Sequence, residues 1–232
     1  MKPKVILYVA ASLDGRTQGF SVNMELFYSL AQQWNENASL IGCNTLLSAS
    51  TGEPVSASEA VTEEKKPSQP SSAATDKSEY DPRPILVVPD SQGRLKNWPY
   101  WQKQPYWKDC VSLSTSQTPA EHLAYLAYNN IKIIKAGVDH INFTKALNVL
   151  SEQFSVTLIR VDSGGILNRV LLQAGLVDEL HLLVHPFLVG SGIQKKFFND
   201  LGAEERDGIS LSLIDVQKKA KDIVLLSYAV SK

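Results

Sequence analysis

Cysteine is scarce in this 232-residue chain. Cys43 and Cys110 are too few for a disulfide framework or a Cys-rich zinc cluster, so the expectation is a soluble protein of a reducing compartment, the cytoplasm. Positive charge is not in excess either. The 23 Lys and Arg face 24 Asp and Glu, a formal net charge of −1, whereas an electrostatic nucleic-acid binder carries a basic surplus. No apolar run approaches the roughly 20 residues of a membrane span. Met1-Lys2-Pro3-Lys4 leads into a short apolar stretch without a cleavage signal, which reads as a first strand and not a targeting segment. GxGxxG and GxxxxGK[ST] are both missing, which removes the usual Rossmann fingerprint and a P-loop ATPase. An HxE with PCxxC, the zinc-deaminase pattern, is also missing.

What is present is a globular composition, 44% hydrophobic and 20% charged. One stretch departs from it. From Ser48 to Pro84 the chain is rich in Ser, Ala, Glu, Lys and Pro, with Val55, Val61 and Tyr80 as its only large apolar side chains. Such a segment buries too little surface to offset its ordering entropy and reads as a disordered insertion. The part before it is too short for a core of its own, so one domain over 1–232 is expected.

Elsewhere β-branched runs alternate with helical patterns. The strands predicted are Val5–Ala11, Ser39–Gly42, Ile85–Val88, Cys110–Leu113, Ile131–Lys135, Val156–Val161 and Glu179–His185, several of them nearly continuously apolar, as strands covered on both faces are. Helical spacing marks Met24–Asn35, Pro119–Tyr128, Thr144–Gln153 and Ile166–Ala174, with Asn23 capping the first and Pro119 opening the second. Ser210–Val216 and Ile223–Val230 follow without a helix between them and predict a closing antiparallel hairpin. The fold class is α/β, with a mostly parallel sheet flanked by helices.

Three strand-to-helix junctions carry the chemistry. In Val161-Asp162-Ser163-Gly164-Gly165-Ile166-Leu167-Asn168 a buried strand runs through two glycines into a helix. Paired glycines let backbone approach a ligand, and a helix's free N–H groups suit a pyrophosphate; the plainer reading is a tight turn that needs glycine. Leu40-Ile41-Gly42-Cys43-Asn44-Thr45 ends a second strand, with Asn44 and Thr45 as helix caps or phosphate donors. Val88-Pro89-Asp90-Ser91-Gln92-Gly93-Arg94 offers a hydroxyl and a guanidinium past a third, either for an extra phosphate or as a solvated turn. Ligands of open α/β sheets bind at the carboxyl ends of strands, which favours the three acting together.

After the first strand comes Ala10-Ala11-Ser12-Leu13-Asp14-Gly15-Arg16, whose small residues would admit a flat ring. Glu25 reads as a buried carboxylate for a substrate ring or as helix-start electrostatics. His181 and His185 share a strand face, but no Cys or acid in ligand spacing joins them, so no metal is expected. Trp98, Trp101 and Trp107 with Tyr100 and Tyr106 read as core or loop anchors.

The run Gly164-Gly165-Ile166-Leu167-Asn168-Arg169-Val170-Leu171-Leu172-Gln173-Ala174-Gly175-Leu176-Val177-Asp178-Glu179-Leu180, with His185-Pro186-Phe187-Leu188-Val189-Gly190-Ser191-Gly192 after it, resembles the reductase domain of riboflavin biosynthesis. Ser12-Leu13-Asp14-Gly15-Arg16 and Ile41-Gly42-Cys43-Asn44-Thr45 resemble that family's other signatures, in the right order. The family is the 5-amino-6-(5-phosphoribosylamino)uracil reductases, of dihydrofolate-reductase-like fold. The resemblance implies an NADPH-dependent oxidoreductase, a homodimer, that reduces the sugar carbon of a phosphoribosylamino-pyrimidine. It implies cofactor contacts at Gly42, Asn44, Thr45, Ser91, Gly164, Gly165, Ile166 and Leu167; Ala11, among the small residues after the first strand, is expected at the cofactor as well, and Asp162, Glu25 and Asp14 are expected near the substrate. The partner implied is a small pyrimidine, with neither nucleic acid nor membrane. The chain departs from the family pattern at Tyr8, Gln32-Gln33, Ala49 and Asp162.

Overall fold

The computed structural model describes residues 2–51, 81–190, 192, 195–197 and 208–231. Strand β1 (Lys4–Ser12) is buried at every position after Lys4, so it needs cover on both faces. It receives it inside a sheet that has nine strands among the described residues. Around it lie β2 (Ala38–Ile41), β3 (Ile85–Pro89), β4 (Asp109–Ser114), β5 (Lys132–Lys135), β6 (Leu158–Asp162) and β7 (Glu179–His185), all paired in parallel. The last two strands, β8 (Leu211–Lys218) and β9 (Val224–Val230), add the expected antiparallel hairpin beside β7. The order across the sheet is β5-β4-β3-β2-β6-β1-β7-β9-β8.

Helices α5 (Phe143–Phe154) and α6 (Gly165–Gln173) cover one face. Leu147, Leu150 and Leu171 from them pack on Leu7, Leu40, Val87 and Val161. The other face carries α1 (Met24–Ala31), α2 (Cys43–Thr51), α3 (Trp98–Gln102) and α4 (Ala120–Tyr128). There Leu46, Trp98, Trp101 and Leu126 join Ile41, Leu86 and Val88, while Phe27 and Ala31 of α1 meet Tyr8, Ala10 and Leu183. Each Leu, Ile, Val or Phe among them, fully buried, contributes about 1.5–3 kcal/mol. Asn23 caps α1 by accepting from the Leu26 N–H at 3.1 Å, as expected.

Several boundaries differ from the sequence reading; the helix expected over Met24–Asn35, for one, ends at Ala31, and Gln32–Trp34 form a 3-10 turn. α2 continues to Thr51, so the backbone stays helical where the polar stretch had been expected to begin at Ser48; residues 52–80 lie outside the described part. It also starts at Cys43, which puts Asn44 and Thr45 in its first turn and not at its cap. Pro119 holds the position before α4, with an extended ψ of 133°, instead of opening the helix. Trp98, Trp101 and Trp107 are buried core, and α3 forms from the first two.

The topology decides where a ligand fits. From β2 the chain moves through β3 and β4 to β5 at one edge; β6 then inserts between β2 and β1 and leads to β7 on the other side. The carboxyl ends of β2 and β6 are therefore the switch point, where the following connections diverge and leave a crevice.

Candidate functional site

A cleft of about 620 Å³ opens at that switch point. The β2–α2 junction contributes Gly42, Asn44 and Thr45; the β6–α6 junction contributes Ser163, Gly164, Gly165, Ile166 and Leu167. Past β3 come Ser91 and Arg94, and His140, Ile141 and Phe143 enter from the turn before α5. All three junctions singled out in the sequence thus meet in one place.

Local sequence explains the shape. Gly164 is the last residue before α6, extended at φ −84° and ψ −178°, and no side chain caps the helix behind it. The first N–H groups of α6 accordingly have no side-chain acceptor, the condition under which a helix start receives an anion. Gly42 serves by its lack of bulk. A Cβ there would lie 2.5 Å from Ser163 Oγ, so glycine is what lets the β2 and β6 junctions approach each other. Ile166, 55% exposed in the first turn of α6, leaves an apolar face on the wall.

Asp90 shapes the Ser91–Arg94 wall from below. Its buried carboxylate accepts from the N–H groups of Arg94 at 2.8 Å and Leu95 at 3.0 Å, with Cys43 Sγ at 3.6 Å and His122 Nε2 at 3.3 Å. Burial, with the Asp90 charge behind it, pushes the Cys43 thiol up to about 12, so it is no nucleophile near neutral pH. Burial also lowers the His122 pKa and keeps that ring neutral.

The three proposed substrate carboxylates fall in three different places. Asp162 ends β6, one residue before the cleft-lining Ser163, and is buried. Arg160 Nη1 donates to it at 3.2 Å, while Arg160 Nε donates to Glu36 at 2.7 Å. Burial opposes the Arg160 charge, but Glu36 and Asp162 outweigh it and its pKa is raised. Asp14 sits in the turn after β1, exposed and outside the cleft lining; Ser12 Oγ donates to it at 2.6 Å and the Gly190 N–H at 2.8 Å. Those two bonds hold its carboxyl down at about 2, ionised, and fasten the β1 turn to the chain after β7. Glu25 is exposed in the first turn of α1 and does not line the cleft, which corrects the buried-carboxylate expectation. Ala11 is fully buried within β1 and does not line the cleft.

Sequence reasoning missed Thr17, His140, Lys195 and Lys196, all of which line the cleft. No local motif announces them. The backbone brings Lys195 in, since the Thr17 N–H donates to its carbonyl at 3.1 Å and Arg16 bridges to Lys196. Among the described lining residues there are three permanent cations, Arg94, Lys195 and Lys196, and no carboxylate. His181 and His185 play structural parts: His181 bonds Ser227 and Glu179, and the Asn23 N–H donates to His185 Nε2.

The chain belongs to the RibD C-terminal domain family, whose model matches residues 3–225. No curated protein matches the sequence. Among solved structures, RibD of Acinetobacter baumannii superposes at a TM-score of 0.68 and 20% identity, over 99% of this chain and 58% of that one. A pyrimidine reductase-like protein of Corynebacterium diphtheriae gives 0.70 at 16% identity, covering 99% and 92%. The riboflavin biosynthesis reductase Rib7 of Saccharomyces cerevisiae gives 0.63 at 15%, covering 99% and 90%. This chain therefore spans under three fifths of the A. baumannii protein. The dihydrofolate-reductase-like α/β fold anticipated from the sequence is the fold these structures share with it.

Proposed function

We propose that this protein is an NADPH-dependent oxidoreductase of riboflavin biosynthesis, reducing 5-amino-6-(5-phosphoribosylamino)uracil to its ribitylamino form. The observation that carries the reading is the cleft itself. Gly42, Asn44, Thr45, Ser91, Gly164, Gly165, Ile166 and Leu167 converge on it, with cations and no carboxylate among its described lining. Membership of the family supports the reaction class, as do the names of the C. diphtheriae and yeast relatives.

The residues fit a dinucleotide. The uncapped start of α6 and the first turn of α2 supply N–H groups for a pyrophosphate, Ser91 and Arg94 suit a further phosphate, and Ile166 offers an apolar face. Bound there, a reduced nicotinamide supplies the hydride. The chain's own work is alignment and exclusion of water. Asp162 is the carboxylate at the end of the central β6, and the Arg160 guanidinium fixes its orientation. It is buried one residue behind the cleft-lining Ser163, so its part on the substrate side is that of a positioning charge and not of a direct contact. Glu25 is exposed on α1, and Asp14 fastens the β1 turn, so both lie apart from Asp162.

The reading includes one reductase domain over 1–232, a cytoplasmic location and a homodimer. For the dimer, one sheet face near the edge bears the side-by-side row Leu182, Leu226 and Val216, with Tyr228 beside Leu213; Leu213 and Val216 are more than half exposed. Such an edge suits a second copy, and sedimentation velocity returning a monomer at micromolar concentration would remove that part.

The function is tested by following NADPH oxidation with the phosphoribosylaminouracil and with dihydrofolate side by side. Oxidation with the first alone is expected. Turnover of dihydrofolate instead would assign the fold to another substrate, and cofactor binding without turnover would make the chain a non-catalytic nucleotide binder.

A further inference from the structure

We propose that Lys195 and Lys196 are a phosphate clamp, sharing the cofactor's pyrophosphate with the first turn of α6. The inference rests on the dinucleotide reading above and adds to it a wall that the glycine junctions do not provide.

Charge distribution is the first ground. A chain of net charge −1 keeps carboxylates out of the described lining of this cleft and places Arg94 and this lysine pair there. A helix start alone offers partial charge; a whole ammonium nearby makes a charge-assisted contact to a phosphate oxygen, roughly twice as strong as a neutral one.

Placement is the second. The two lysines follow β7, far in sequence from either glycine junction, yet backbone bonds fasten them to the turn after β1, where they line the same cleft as both junctions. Thr17 N–H donates to the Lys195 carbonyl at 3.1 Å, Arg16 pairs antiparallel with Lys196, and Phe197 N–H reaches the Gly15 carbonyl at 3.4 Å. From the other side, Asn168 of α6 donates through Nδ2 to the Phe197 carbonyl at 2.6 Å and to the Ser163 carbonyl at 3.1 Å. Asn168 is 1% exposed, so one buried amide ties the lysine segment and the glycine turn together. The neighbouring Asp14 is committed elsewhere, to Ser12, Val189 and Gly190. Thr17, only 2% exposed, completes the wall between the lysines and the end of β1.

The test titrates the full chain with NADPH and, separately, with inorganic pyrophosphate, at two salt concentrations. Wild type is compared with Lys195→Gln/Lys196→Gln and with Lys195→Arg/Lys196→Arg. The Gln pair should weaken both ligands by about tenfold and flatten the salt dependence, while the Arg pair stays near wild type. Unchanged NADPH affinity in the Gln pair would overturn the clamp and leave the cofactor reading standing. Lysine-dependent pyrophosphate binding without NADPH binding would keep an oxyanion clamp and sink the cofactor reading. A raised KM for the phosphorylated substrate with unchanged NADPH affinity would move the lysines to the substrate's phosphate and overturn the assignment made here.

Discussion

Asp162 is the positioning charge proposed for the substrate side, and its neighbours show why a single atom there matters. Glu36, Arg160 and Asp162 form a buried chain of alternating charge, at 2.7 Å and 3.2 Å. A buried ion chain of this kind fixes orientation more surely than it adds stability, because desolvation offsets much of the attraction. Asp162→Asn keeps the shape and an acceptor for Arg160 while removing the charge. We expect turnover to fall by about 10²-fold or more, with NADPH affinity within about twofold of wild type because the carboxylate does not line the cofactor cleft. Steady-state oxidation and fluorescence titration read the two quantities separately. Turnover equal to wild type would take Asp162 out of the mechanism.

Turns, more than strands or helices, set the cleft walls. Gly137 begins the connection from β5 to α5 at φ +103°, and a Cβ on it would lie 2.0 Å from the His140 carbonyl oxygen. That clash is with backbone of the same turn that brings His140 and Ile141 to the cleft. Gly137→Ala should therefore destabilise the fold by about 1–3 kcal/mol and weaken cofactor binding together. Urea midpoint and NADPH titration on one preparation check both, and an unshifted midpoint would contradict the strain. These turns also mark what the sequence could reveal. Strands such as Val5–Ala11 announced themselves because continuous apolar residues on a doubly covered sheet leave a local signal. The Gly164-Gly165 turn did so because glycine pairs are locally distinctive. Lys195, Lys196 and Thr17 stayed silent, since their place depends on a backbone pairing between segments distant in sequence. Glu25 misled for a related reason: an acid in a first turn looks the same whether its helix face turns inward or, as here, outward.

Across the whole molecule, three of the four histidines are buried and have pKa values lowered by that burial. The folded state binds their protons less readily than the unfolded state, where histidine titrates near about 6.5. Stability is then full above that value and lost as pH falls below it, by up to about 1.4 kcal/mol per pH unit for each histidine. Urea midpoints should drop between about pH 7.5 and about pH 5.5, before any carboxylate whose pKa is depressed comes into play; a midpoint that rises on acidification would contradict the burial argument. The same architecture that buries these rings, a doubly covered sheet opening at the ends of β2 and β6, is what assembles the cleft. Its proposed use comes down to one transfer, from a nicotinamide to the sugar carbon of a pyrimidine intermediate. The most direct measurement supplies NADPH deuterated at the transferable position, with 5-amino-6-(5-phosphoribosylamino)uracil, and analyses the product by mass spectrometry. The account predicts a ribitylamino product carrying one deuterium on that carbon. Recovery of unreduced substrate, or of a reduced product without the label, would contradict it.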